Sequence, residues 1–311
     1  MRLVLQALAV LVVSVSLVSP ALARDIFVNN VAGDDRATGH NPQAPDESGP
    51  VRTITKALRL ARQGDHLFLA NTGQPYRESI SLVGSQHSGF LSNRFCIFGN
   101  GAILDGSNPV PPIAWESFRG PMFRFQPPRM AHQQLFLSDR PVRRVIANPL
   151  ADAPPKLEPL TWCLHRGYLY FCVEPLKLPE DYPLSFACQR VGITLFHVDR
   201  VCISDLVIQG FQLDGVNAYN SVRDVMLERV TCRGNGRSGL AVGAASLVHL
   251  GASLVGNNGE AQVLALPLSE LHVRDTQLLS NTAPGLVNQD ARVYLDGKAI
   301  PGGIDAWPAK E

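Results

Sequence analysis

Three short stretches place chemically useful side chains at nearly equal spacing: Leu213-Asp214-Gly215, Arg237-Ser238-Gly239 and Glu260-Ala261-Gln262. Asp214 and Glu260 are carboxylates, groups that act as general acid, base or nucleophile. Arg237 lies between them in the chain. Its planar fork can grip a uronate carboxylate, or neutralise one during an elimination. Thr194, Asn217 and Tyr219 add hydrogen bonds for sugar hydroxyls and a flat ring surface. The catalytic candidates are therefore Asp214, Glu260 and Arg237, and the substrate-binding candidates are Thr194, Asn217 and Tyr219. Asp214 leads, because it opens a strand at an expected rim with Asn217 and Tyr219 beyond it. Each also has an ordinary reading: Asp214 as the cap of the turn before Gly215, Arg237 and Glu260 as solvated surface charges.

The spacing sets limits on the chemistry. Two repeats of about 4.8 Å separate Asp214 from Glu260 by roughly 9–10 Å, the long edge of the roughly 6.5–9.5 Å of an inverting carboxylate pair. The register also differs by one, since Ala261 and not Glu260 is equivalent to Asp214. Glu228 is a further rim carboxylate with a plain reading as an exposed ladder position. His249 and His272 stack one repeat apart, but no carboxylate is fixed beside them by the sequence, so a solvent ladder is expected and a metal site is not.

The elements that position these residues are read from a repeat. Gly192-Ile193, Gly215-Val216, Gly239-Leu240, Gln262-Val263 and Gly285-Leu286 recur at steps of 23, 24, 23 and 23. Ile193, Val216, Leu240, Val263 and Leu286 form one apolar column. A second strand gives the columns Val201, Val225, Val248, Leu271 and Ile203, Leu227, Leu250, Val273. A third gives Ile208, Cys232, Val255, Leu278, and Asn235, Asn258 and Asn281 recur in the turn that follows. Three short alternating strands per period predict an all-β right-handed parallel β-helix, a solenoid whose like residues stack up the core.

The rest of the chain divides around that repeat. Residues 1–23 read as a secretory signal peptide: Arg2, an apolar run and Ala21-Leu22-Ala23. Residues 24–106 supply an N-terminal cap and first coils, with an amphipathic helix in which Ile54, Ala57, Leu58 and Ala61 share a face and Gly64 stops it. Residues 107–187 lose the period and gather prolines and aromatics, which predicts an inserted antiparallel β subdomain. Residues 188–311 carry the remaining coils and a C-terminal cap. Six cysteines lack C-x-x-C spacing, so neither a metal nor a cofactor is implied, and Cys163 and Cys172 flank a hairpin turn that a disulfide could bridge.

Composition excludes other classes. The chain has 311 residues, 45% hydrophobic and 18% charged, with a net charge of +1. That balance excludes a disordered chain, a collagen-like repeat and a coiled coil, and lacks the basic footprint of a nucleic-acid binder. No segment beyond the leader is apolar enough to span a membrane. A secreted monomer, periplasmic or extracellular, is expected.

Ile26-Phe27-Val28 leading to Gly33-Asp34-Asp35, then Pro50-x-x-Thr53-Ile54-x-x-Ala57-Leu58, Gly64-Asp65 and Tyr76-x-Glu78-x-Ile80 resembles the opening of secreted right-handed β-helix proteins of the pectate-lyase-like superfamily. The stretch from Trp162 to Phe171 resembles the β insertion of some glycoside hydrolases of that superfamily. The resemblance implies a carbohydrate-active protein: a hydrolase, lyase or epimerase whose partner is an extracellular polysaccharide or oligosaccharide. The superfamily's polygalacturonase-type pattern of paired aspartates and a histidine is matched only at Asp214, so that mechanism is not carried over. Three classes stay open: a polysaccharide-acting enzyme, a noncatalytic carbohydrate-binding protein, and a structural scaffold.

Overall fold

The computed structural model describes residues 23–128, 132–138 and 140–300. The leader expected at 1–23, all but its last residue, and the end of the expected C-terminal cap lie outside the described residues. Within them the protein is mostly β, and five sheets are formed. Among the described residues, no helix is long and apolar enough to cross a membrane.

Three of the sheets are built from parallel strands that the chain visits in rotation. The first contains Ile80–Val83, Ile193–Phe196, Asp214–Ala218, Ser238–Val242, Ala261–Ala265 and Leu286–Asn288. The second holds nine strands from Asp25–Val28 to Lys298–Ile300, the last antiparallel and the rest parallel. The third runs from Ile103–Asp105 to Gln277–Leu278. From Ile193 to Leu278 the chain adds one strand to each of these sheets in turn.

The apolar columns read from the sequence are the ladders of these sheets. Ile193 pairs with Val216, Val216 with Leu240, Leu240 with Val263 and Val263 with Leu286. All five are 0% exposed, so the column faces inward. Ile203, Leu227, Leu250 and Val273 form a second ladder, and Ile208, Cys232, Val255 and Leu278 a third. All belong to one contiguous core. A single circuit could not bury these side chains; stacking buries each against its equivalents above and below.

The bend between second and third sheets uses left-handed backbone at residues that are not glycine. Asp205, Arg229, Ala252 and Asp275 take φ of 55°, 52°, 47° and 48° at the same point of successive circuits. Such a conformation costs about 1–2 kcal/mol at a residue with a Cβ. It is held by bonds between circuits, the Asp205, Arg229 and Ala252 amides donating to the carbonyls of Glu228, Gly251 and Arg274.

The helix spans Ile54–Leu60 and buries Ile54, Ala57 and Leu58. It is shorter than its apolar face, which continues to the buried Ala61 in extended backbone. Thr53 caps it, and the Glu78 carboxylate accepts from the amides of Ile54 and Thr55, both at 2.8 Å. Asp35 accepts from the Arg52 and Thr53 amides. Asp35 and Glu78 of the opening pattern are therefore acceptors at the helix start.

The chain leaves the parallel sheets at Ser107–Pro109 and returns at Leu184–Ala187, and these two strands pair antiparallel with Ser107 opposite Ala187. Between them lie strands of a four-stranded and a five-stranded sheet, antiparallel except where Arg143–Arg144 meets Thr161–Trp162. Trp162, Phe171, Leu169, Phe125 and Phe186 form a second core, apart from the first. The Trp162 indole N–H donates to the Val142 carbonyl at 2.9 Å. The expected hairpin turns at Arg166-Gly167, both at positive φ, as a tight two-residue turn requires. Its bridge does not form. Cys163 faces Tyr170 and Cys172 faces Met122 in the register, and all six cysteines are free thiols.

Candidate functional site

Asp214 is not at a rim. It is 0% exposed, and side chains occupy both carboxylate oxygens. Arg237 donates from Nε to Oδ1 at 2.9 Å and from Nη2 to Oδ2 at 2.6 Å. Ser238 donates its hydroxyl to Oδ1 at 2.7 Å, and Asn217 its amide to Oδ2 at 2.7 Å. A buried carboxylate needs such compensation, and a two-pronged guanidinium is its strongest form. Proton exchange with a substrate would break this cage. The geometry gives Asp214 a positioning role, fixing Arg237. The Arg237 fork is accordingly not open to a uronate, as the sequence had allowed. Its guanidinium is pushed above its ordinary range by the hydrogen bonds to Asp214.

The local backbone explains why the cage forms at this point of the circuit. A Cβ at Gly192 would lie 2.5 Å from the Gly215 carbonyl oxygen, one at Gly215 2.7 Å from that of Gly239, and one at Gly239 2.4 Å from a Val255 methyl. The glycine column lets successive strand starts press together. Behind it Asn258 accepts from the backbone amide of Asn235 at 2.9 Å and from its side chain at 3.0 Å. Asn281 leaves this ladder and bonds Asn257 instead. Gln262, two residues after Glu260, is fully buried and accepts from Asn258 at 2.8 Å.

Glu260 points elsewhere. Its partner is His132 of the insertion, with Nδ1 2.7 Å from Oε1, and its side chain stays 53% exposed. The His132 hydrogen bond draws the Glu260 carboxyl below its usual range, with charge from His132, Arg144 and Arg237 acting the same way. Arg144 comes from the insertion strand Arg143–Arg144. Its guanidinium lies 5.3 Å from the Trp162 ring centre, and its buried Nε has no hydrogen-bond partner. Burial pulls it below its ordinary range. His132 and Arg144 were missed by sequence reasoning, because the insertion has no period to align them.

Thr194 and Asn217 are ladder neighbours on the outer face of the first sheet. That face then turns apolar: Asn217 pairs with Ala241, and Ala241 with Leu264. Tyr219 packs against this apolar patch, and burial raises its phenol. Asp214 and Arg237 also act on that phenol, which puts the ring beside the cage. The insertion closes over the turn that precedes Ser238–Val242: a Cβ on Gly236 would sit 3.0 Å from His132, and one on Gly234 2.7 Å from the Phe136 ring. The structure thus brings together Asp214, Arg237, Asn217 and Tyr219. Glu260 joins them through the shared influence of Arg237 and not as a carboxylate partner of Asp214.

A separate groove of about 370 Å³ lies on the second sheet, lined by Asp224, Glu228, His249, His272, Arg274 and Tyr294 among others. The rings of His249 and His272 stack at 4.8 Å, and those of His272 and Tyr294 at 4.6 Å. Stacked rings cover one another's faces, which removes the flat surface a sugar ring would use. A carboxylate does stand beside the histidines, contrary to the sequence reading, since His272 Nε2 lies 2.8 Å from Glu270. Among the described residues, no group of three or more His, Cys, Asp or Glu could hold a metal ion.

No known protein family and no curated protein matches the chain by sequence. Solved structures do match by shape. The fold is shared. A structure of XylC with xylose aligns with a TM-score of 0.56 at 12% identity, over 88% of this chain and 61% of that one. A glycoside hydrolase aligns with a TM-score of 0.57 at 10% identity, over 84% of this chain and 74% of that one. The chain therefore spans under two thirds of the length of the xylose-bound protein.

Proposed function

We propose that this protein is an exported right-handed parallel β-helix of the pectate-lyase-like type that takes an extracellular polysaccharide along the rim where the insertion meets the first sheet. The observation that carries this reading is the His132–Glu260 contact. It brings an exposed carboxylate and a histidine together across that rim, under the influence of Arg144 and Arg237. The half-buried Arg144 guanidinium, beside a polar and aromatic surface, favours an acidic glycan, whose uronate carboxylates it would pair. The fold shared with a glycoside hydrolase and with a xylose-bound protein supports the carbohydrate class.

Two-carboxylate hydrolysis fits poorly, because it needs one protonated and one free carboxyl flanking the bond, and Asp214 is enclosed. Glu260 and His132 are the proton-transfer candidates. Abstraction of a proton beside a neutralised uronate is the reaction class they suit. Asp214 and Arg237 position the rim, and Thr194, Asn217 and Tyr219 extend its surface. Noncatalytic capture is the second reading, favoured by the locked Asp214–Arg237 pair.

The test is a panel of neutral and uronate-bearing polysaccharides offered to the purified protein. Binding, new reducing ends and unsaturated-uronate absorbance are read separately. Retention by uronate chains is expected, and unsaturated products mark the eliminating reaction. Glu260→Gln should then lower rate on the order of 10²-fold or more with the fold intact. Binding without products selects the capture reading. Failure to bind or convert any acidic polysaccharide rejects the proposal.

A further inference from the structure

We propose that Cys96 and Cys202 are the site of an inter-strand disulfide that staples the circuit preceding the insertion to the circuit following it. The two residues are direct partners in the second sheet, Cys202 beside Cys96 on parallel strands. Their neighbours Phe95, Ile97, Val201 and Ile203 are fully buried, so by alternation both thiols lie on the outer face. Both are partly exposed. Adjacent strands lie about 4.7–4.9 Å apart, within the roughly 4.4–6.8 Å that a disulfide spans between Cα atoms.

Three of the remaining four cysteines are poorer candidates. Cys163, Cys172 and Cys232 are buried, and burial pushes the thiols of Cys163 and Cys232 up to about 11 and about 12. The reactive form is the thiolate. Cys202 differs: a hydrogen bond with Cys96 draws its thiol down, and the Arg94 and Arg229 guanidiniums act in the same direction against Glu228. Cys96 holds its proton more tightly and also lies within hydrogen-bond reach of the Arg94 carbonyl. Cys202 is thus the attacking sulfur and Cys96 the resolving one.

With a small-molecule disulfide such as oxidised glutathione as the oxidant, the Cys202 thiolate attacks one of its sulfurs and expels a thiolate. Cys96, after losing its proton to solvent, attacks Cys202 and expels the second. Two protein thiols are oxidised, one disulfide is reduced to two thiols, and the released protons end on them.

The position gives the bond its effect. These strands are neighbours in space, yet the whole insertion lies between them in the chain. A cross-link closing a loop on the order of 100 residues removes much denatured-state entropy. The staple would sit at the one joint where the repeat is interrupted.

The full protein is purified reduced and equilibrated with oxidised and reduced glutathione. It is then acid-quenched, alkylated, digested and mapped by mass spectrometry. The expected result is a linked peptide pair joining Cys96 to Cys202, with Tm raised by on the order of 5 °C and returned by dithiothreitol. Cys96→Ser and Cys202→Ala should each abolish that redox-dependent rise. Recovery of both residues as alkylated thiols, a stable glutathione adduct on Cys202, or linkage of Cys96 to another cysteine would overturn the proposal. The peptide map of the unaltered protein decides this even where a variant folds poorly.

Discussion

The repeat and the insertion solve the same problem in opposite ways. In the repeat, a side chain is supported by its equivalents one circuit away, as Leu240 is by Val216 and Val263. In the insertion, Trp162 and Phe171 pack in a core of their own, and Arg144 lies against Trp162. The difference divides the labour at the rim. The repeat supplies the enclosed Asp214–Arg237 pair, and the insertion supplies the part-buried histidine that reaches Glu260. A stacked scaffold fixes groups firmly and repeats them; a single lobe can offer side chains that occur once.

The largest test of this division is a pair of core truncations. Leu240→Ala should cost about 2–5 kcal/mol in urea unfolding, as a cavity in mid-stack. Leu169→Ala should cost a comparable amount in the insertion. Because the cores are separate clusters, the double variant should equal the sum within about 0.5 kcal/mol. Strong coupling would mean that the two regions are one unit.

Next in size is the buried pair. Asp214→Ala strands Arg237 and should lower stability by about 2–4 kcal/mol, with Arg237→Ala costing less alone and a double-mutant cycle showing coupling. A change within the ±0.5 kcal/mol of a plain surface site would show that the cage contributes nothing to the scaffold.

A pH effect belongs to the repeat's cap. His87 Nδ1 accepts from the Val83 amide and Nε2 donates to the Leu58 carbonyl, both at 3.0 Å. Both nitrogens are used by the neutral ring, and burial lowers its proton affinity. The unfolded chain takes up the proton first, so stability should be full above the ordinary histidine range near 6.5 and fall as pH drops below it. Stability curves from pH 8 to 5 should lose part of that slope in His87→Gln; an unchanged slope removes His87 from the account.

The smallest effect is expected at Glu260→Gln, whose side chain is half exposed. Its unfolding free energy should shift by less than about 0.5 kcal/mol.

These contrasts also explain what the sequence could tell. Columns such as Ile193 to Leu286 were legible because stacking makes period and burial the same fact. The helix over Ile54, Ala57 and Leu58 followed from its apolar spacing, although its last turn is extended. Asp214 was found by position but misjudged in exposure, because polar side chains from two circuits close over it. His132 and Arg144 were invisible, since a lobe whose strands occur once leaves no recurring interval. The Cys163–Cys172 bridge failed because flanking a turn does not put two residues opposite each other.

The doorway of the insertion has one further consequence. Because Ser107–Pro109 and Leu184–Ala187 run side by side, the lobe departs and comes home at a single threshold. Exchange of everything beyond that threshold would leave the stacked frame with the same two ends to join. Evolution could therefore refit the rim with a different lobe, changing the surface it presents, while the frame keeps its shape.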